Sequence, residues 1–142
     1  MESSLRGLID RIFAAMQAKN LDNVMSQFAD DAVLIDPHFP HPRMEGKAVI
    51  TEGLQRAMTQ MQSFGYTTMN YFESKGGQRA AVEVATHHVA MHGKKLNFPQ
   101  VFVFEAGEGR ITRMQAYEPY GPHGLFGVFL FLARHLKKRP GK

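Results

Sequence analysis

The chain has 142 residues, 17 Lys and Arg against 13 Asp and Glu, and no cysteine. That length suits one domain, and 44% hydrophobic with 21% charged residues is the balance of a folded chain rather than a disordered one. Lack of cysteine excludes disulfides, thiolate zinc sites and cysteine nucleophiles.

The net charge of +4 is unevenly placed. Arg134, Lys137, Lys138, Arg139 and Lys142 lie in the last nine residues, which contain no acid, so the preceding 133 carry 12 basic and 13 acidic side chains. A basic tail on a near-neutral body does not make a nucleic-acid-binding face, which needs Lys and Arg clustered on a docking surface. The first ten residues carry an acid at the second position and no apolar core of a secretory signal. The longest apolar run, 128–133, is far short of the roughly 20 residues of a membrane span. The expectation is a soluble, cytoplasmic protein.

In chain order, residues 4–19 carry Leu5, Leu8, Ile9, Ile12, Phe13 and Met16 at helical spacing. A short helix fits 21–28, with Leu21, Val24, Met25 and Phe28 on one side. Residues 32–36 read as a buried strand that Pro37 ends, because proline has no N–H for the ladder. Three prolines and two histidines make 37–43 a loop. Helical spacing returns over 46–61 with Val49, Ile50, Leu54, Ala57, Met58 and Met61. From there the period becomes two. Residues 66–74, 79–92, 96–105 and 111–120 read as four strands separated by glycine turns suited to hairpins. Helices gathered on one face of a curved antiparallel meander make an α+β fold.

The spacing predicts a last helix over 124–138, with Leu125, Val128, Phe129, Leu132 and Leu136 on its main apolar face and Phe126, Leu130 and Phe131 widening it. It could cover the open end of the sheet, pack in a dimer or touch a lipid surface. The reading favours internal packing, with the basic residues solvated at the helix C-terminus, where cations also suit the dipole. The expected division is a domain over 1–123 and a helix with its basic tail over 124–142.

The most informative stretch is 28–37, FADDAVLIDP, which places Asp36 at the end of an apolar strand. If its side chain enters an apolar cavity, desolvation raises its pKa and makes it a general base. The alternative is a strand-end acid that bonds loop amides. On the 96–105 strand Phe98, Gln100, Phe102 and Phe104 share a face. Gln100 therefore either faces a cavity or bonds a neighbouring strand. Met114, Ala116 and Glu118 share a face of the last strand, where Glu118 is either near a pocket mouth or a solvated acid. Tyr117 opens an aromatic, proline-containing linker that could shape that mouth.

FADDAVLIDP, then MEGKAVITEGL and GRITRMQAY, resemble the ketosteroid isomerase and nuclear-transport-factor-2-like superfamily, including its SnoaL-like, polyketide cyclase-like domains. The resemblance covers residues 4–120. It implies a cone-shaped curved sheet backed by N-terminal helices, a cystatin-like α+β barrel, with an apolar pocket and usually a homodimer through the sheet. Asp36 matches the family's catalytic base. In ketosteroid isomerases that base works with a tyrosine and a protonated aspartate that donate to an oxyanion. Here those positions fall on Ile12 and near Gln100, which speaks against a true steroid isomerase. The resemblance also turns Met114 toward the cavity and, by register, places His87 inward.

His38 and His41 follow Asp36 in the loop, His87 and His88 are adjacent on a strand and so face opposite sides, and His92 lies near a hairpin turn. A histidine titrating near neutrality could pair with Asp36. His38-x-x-His41 is a weak metal signal beside the three convergent ligands a site needs, so neither a metal nor a cofactor is implied. The phosphate-cradling glycine motifs and the G-x-S-x-G elbow do not occur.

The expected function is a cofactor-free acid/base enzyme of isomerase, cyclase or dehydratase type acting on a small apolar or polycyclic substrate. Asp36, Gln100, His87 and Glu118 are its candidate catalytic residues, and His38, Phe98, Phe102, Met114 and Tyr117 its candidate binding residues. The alternative is a non-catalytic domain of the same fold that binds a small ligand or dimerises.

Overall fold

The structure is a computed structural model and describes residues 4–118 and 124–136. Helix α1 (Leu5–Gln17) starts at Ser4, whose Oγ accepts from the Gly7 N–H, and α2 (Leu21–Met25) starts at Asn20, whose side chain accepts from Asn23 N–H. Both caps satisfy amides that have no partner inside the helix. Strands β1 (Phe28–Ile35) and β2 (Arg43–Glu45) follow, then α3 (Lys47–Gln60), β3 (Met61–Ser63), β4 (Tyr66–Glu73), β5 (Arg79–Ala90), β6 (Lys95–Gly107) and β7 (Arg110–Tyr117). Helix α4 (Gly124–Leu136) comes last.

All seven strands form one sheet, in the order β2-β1-β7-β6-β5-β3, with β4 also on β5. The three hairpin pairs β4–β5, β5–β6 and β6–β7 are antiparallel, as the glycine turns predict. The β1–β7 pair is parallel, with Leu34 opposite Met114, so the sheet is mixed. Chain order explains this: β1 and β7 are joined by nearly the whole domain, so no hairpin dictates their direction. β1 also begins four residues earlier than the apolar run implies, because Asp30 and Asp31 occupy its exposed positions.

One face of the sheet and the inner sides of α1, α2 and α3 enclose the core. Phe28, Phe104, Ile9, Ile12, Ile50 and Ile111 are its largest fully buried side chains. On β5 the alternation is strict. Ala80, Val82, Val84, Thr86 and His88 face inward and are buried, while Glu83 and His87 are exposed. On β6, Gln100, Phe102 and Phe104 are buried in the same way.

Helix α4 behaves differently. Leu125, Val128, Phe129, Phe131, Leu132 and Leu136 are all exposed, so its expected packing onto the domain is not found among the described residues. None of its described residues joins the core. The part of the predicted last strand beyond Glu118, and the helical residues beyond Leu136, lie outside the described residues.

Candidate functional site

The inner face encloses a cavity of about 220 Å³. Its walls are mostly apolar, with Ile12, Phe13, Phe28 and Leu34 at one side and Phe98, Phe102 and Met114 along the sheet. Asp36, His38, Arg56, Gln60, Tyr66, His88 and Gln100 are its polar lining residues.

Asp36 lies immediately past β1, where the chain turns through residues 36–42. Its N–H donates to the Pro42 carbonyl at 2.9 Å, and its carbonyl accepts from Phe39 N–H at 3.2 Å. Its carboxylate Oδ1 accepts from the His38 N–H at 2.9 Å. The two readings of this residue therefore combine: it orders the loop through one oxygen and still lines the cavity. Burial raises its pKa above the ordinary carboxylate range, and this outweighs the opposing contributions of the His38 amide and ring.

At the mouth, the ring of His38 stands between two acids. Its Nδ1 is 2.6 Å from Glu118 Oε1 and 3.4 Å from Asp36 Oδ1. The His38 side chain is 52% exposed, whereas Asp36 and Glu118 are 16% and 12% exposed, so the imidazole covers two carboxyls that lie inside. Gln100, cross-strand from Glu118, donates from Nε2 to the same Oε1 at 3.0 Å. Burial is the main cause of a raised Glu118 pKa, His38 opposes it, and the Asp36 charge adds to it. Gln100 Oε1 is buried and has no hydrogen-bond partner among the described residues.

Asp36, His38 and Glu118 have ligand atoms within 4.8 Å of one another, the convergence a metal ion would require, and His41 does not join them. A ring nitrogen that carries its proton toward Glu118 has no free lone pair, so an ion bound there would have to replace the His38–Glu118 contact.

Two further cavity residues, Tyr66 and His88, were not among the expected site residues. Gly65 packs so closely against β5 that a Cβ there would lie 2.6 Å from the His87 carbonyl oxygen. In this approach Gly65 N–H donates to His88 Nδ1 at 3.2 Å, and His87 N–H donates back to the Gly65 carbonyl. A ring nitrogen that accepts is unprotonated, so the hydrogen bond assigns the proton of His88 to Nε2. Burial lowers the His88 pKa to about 4, with the His38 and His87 charges acting in the same sense, so the ring is neutral at physiological pH. Tyr66 stacks on Phe13 with ring centroids 4.7 Å apart and meets His88 edge-on at 5.0 Å. Burial, and then the Asp36 charge, raise the pKa of its phenol, so it stays protonated.

Of the residues expected at the site, the structure brings together Asp36, His38, Phe98, Gln100, Phe102, Met114 and Glu118. Two need correction. His87 is exposed on the outer face and His88 takes the inward position, one residue of strand parity away. Val82, Glu83 and Val84 already carried that parity in the sequence. Tyr117 is 47% exposed and pairs with Val101 on the outer face, because Ala116 and Glu118 take the inward positions around it.

No curated protein matches the chain's sequence. Solved structures match its fold. A Mycobacterium tuberculosis protein solved with estradiol-17β-hemisuccinate is 19% identical, with TM-score 0.72 over 81% of this chain and 94% of its own. A protein of ketosteroid isomerase-like fold from Catenulispora acidiphila, solved with trimethylamine, is 17% identical, with TM-score 0.69 over 90% and 92%. An LEH-like epoxide hydrolase from M. tuberculosis is 22% identical, with TM-score 0.67 over 91% and 89%. The model of the SnoaL-like domain matches residues 9–114, which hold the acid-ended first strand, both cavity walls and most of the curled sheet, and the chain therefore belongs to the SnoaL-like family.

Proposed function

We propose that the cavity is a cofactor-free acid/base site, in which Asp36 takes a proton from carbon beside a carbonyl and returns it elsewhere on the same molecule. The observation that carries this reading is a carboxyl with a raised pKa in an apolar cavity that also holds two neutral donors, Tyr66 O–H and His88 Nε2–H. A base of raised pKa holds the abstracted proton better, and a neutral donor stabilises a developing enolate without stabilising the uncharged ground state equally. Tyr66 and His88 thereby take the part that Ile12 cannot and that Gln100, bonded to Glu118, is poorly placed to take. Glu118 and His38 hold the mouth.

The cavity also limits the substrate. It is smaller than the roughly 300–1,000 Å³ of drug-sized sites, which favours a compact molecule over a polycyclic one. The unpartnered Gln100 Oε1 favours a substrate with an O–H or N–H to donate. Isomerisation, cyclisation and dehydration all use this proton transfer. The proposal includes a cytoplasmic address and a homodimer through the outer face of the sheet, where Met69, Phe72 and Tyr117 are exposed.

The experiment is NMR-detected exchange of the α-protons of small cyclic hydroxyketones into deuterated buffer. The protein should accelerate exchange, and Asp36→Asn should reduce the acceleration about a hundredfold or more. Tight binding of such a ketone without exchange would replace this reading with the non-catalytic ligand-binding one. Its support is Ile12, an apolar residue where the isomerases place their main donor.

A further inference from the structure

The last helix presents its apolar stripe outward. Leu125, Val128, Phe129, Leu132 and Leu136 recur at three- and four-residue spacing and so form one continuous face, and their exposure runs from 49% to 89%. The half-buried residues Gly127, Leu130 and Ala133 lie on another side. Phe131, beside Gly127 and outside the stripe, is exposed as well, so the apolar surface of the helix extends beyond one face. A contiguous stripe of this kind marks an interaction surface, because scattered single apolar residues are the norm elsewhere.

Charge identifies the occupant. Residues 124–142 contain no acid; Arg134 lies within the last turn of the stripe, and Lys137, Lys138, Arg139 and Lys142 come after it in the sequence. The remaining chain is close to neutral, so this cationic segment is the one strongly charged feature of the sequence. Apolar side chains beside a cluster of Lys and Arg match an interface with hydrocarbon below and anionic headgroups above. Thirteen helical residues extend about 20 Å, too short for a hydrocarbon core of about 30 Å, and no described helix is long and apolar enough to cross a membrane.

We infer that residues 124–142 hold this protein on the surface of an anionic phospholipid bilayer. The helix lies in the interface plane with Leu125, Phe129, Leu132 and Leu136 in the acyl boundary, and the basic residues meet the headgroups. A second copy would offer this acid-free segment no opposite charge, whereas an anionic bilayer surface matches the apolar stripe and the basic cluster together, which is the reason for preferring lipid. The inference is independent of the chemistry proposed for the cavity.

Sedimentation of the full chain with vesicles tests it. Vesicles of phosphatidylglycerol and phosphatidylcholine should bind the protein, and binding should weaken as salt rises, whereas pure phosphatidylcholine should bind it at least about tenfold less. Phe129→Asp with Leu132→Asp should reduce binding to the anionic vesicles roughly tenfold or more. Both positions are exposed, so the thermal transition of the variant should match the parent's and show that the domain is intact. Replacing Lys137, Lys138 and Arg139 by Gln should abolish the salt dependence. Equal binding to neutral and anionic vesicles would overturn the inference, as would a doubly substituted chain that still sediments. A dimer dissolved by the same two substitutions, with no vesicle binding by the parent, would assign the stripe to a second copy instead. Retention on a duplex DNA probe in place of vesicles would assign the tail to nucleic acid.

Discussion

The cone interior and the last helix are built from the same residue types and have opposite fates. Phe28, Phe104, Ile9 and Ile12 are essentially inaccessible, whereas Phe129, Phe131, Leu132 and Leu136 are all exposed. The difference comes from what surrounds them. The interior side chains have three helices and one face of a sheet to pack against, and the outward side of α4 has no covering element among the described residues. Apolarity alone therefore marks a surface to be covered, and the partner that covers it can be the chain itself or something outside it.

Stability measurements sharpen that contrast. Phe104→Ala should cost the domain about 3–5 kcal/mol, seen as a lower denaturant midpoint, because the vacated volume sits between Phe13 and Phe102 and cannot collapse easily. The His88 imidazole comes next. Its pKa is about 4 in the folded chain and near 6.5 unfolded, so the unfolded state binds more protons between these values and stability falls as pH drops from 6.5 toward 4. The loss should reach roughly 2–3 kcal/mol, and His88→Asn should flatten that limb of the stability–pH curve.

Asp36→Asn should act in the opposite sense to most interior substitutions. Burial raises the Asp36 pKa, so keeping it ionised at pH 7 costs stability, and the neutral amide should raise the melting temperature by a smaller amount while still accepting from the His38 N–H. A carbon-detected NMR titration of Asp36 should place its midpoint above that of an exposed aspartate, and a midpoint at or below about 3.9 would remove the basis for a tuned base. The smallest effect belongs to α4. Phe129→Ser should change the unfolding free energy of the vesicle-free protein by no more than about 0.5 kcal/mol. A loss comparable with that of Phe104→Ala would mean that the domain itself covers the stripe.

Most of the architecture was legible in the pattern of the residues. Helical spacing located α1 and α3 because each packs one face on the sheet, and period two with glycine turns located β4 to β7 because each has one wet face. The three-residue strands β2 and β3 were not legible, since so short a segment carries no periodicity and exists only by pairing with β1 and β5. At the site, Asp36 stood out because an acid ending an apolar strand is rare. His88 was confused with His87, because a single step along a strand reverses every side chain. Tyr66 carried no signal, since its role depends on Phe13 from α1 and on the charge of Asp36, both distant in the chain.

What the sequence determined by itself is local and periodic: which segments bend into helices, which extend, where Asp36 falls and where the charge collects. These follow from side-chain spacing and from the conformational limits of proline and glycine, which act over a few residues. Tertiary structure decided the parallel β1–β7 pair, the meeting of His38 with Glu118, the Gly65 contact that fixes the tautomer of His88, and the exposure of the last helix. Each brings together groups distant in the chain or leaves a face without a neighbour, and a distance through space is set by the packed sheet and helices as a whole.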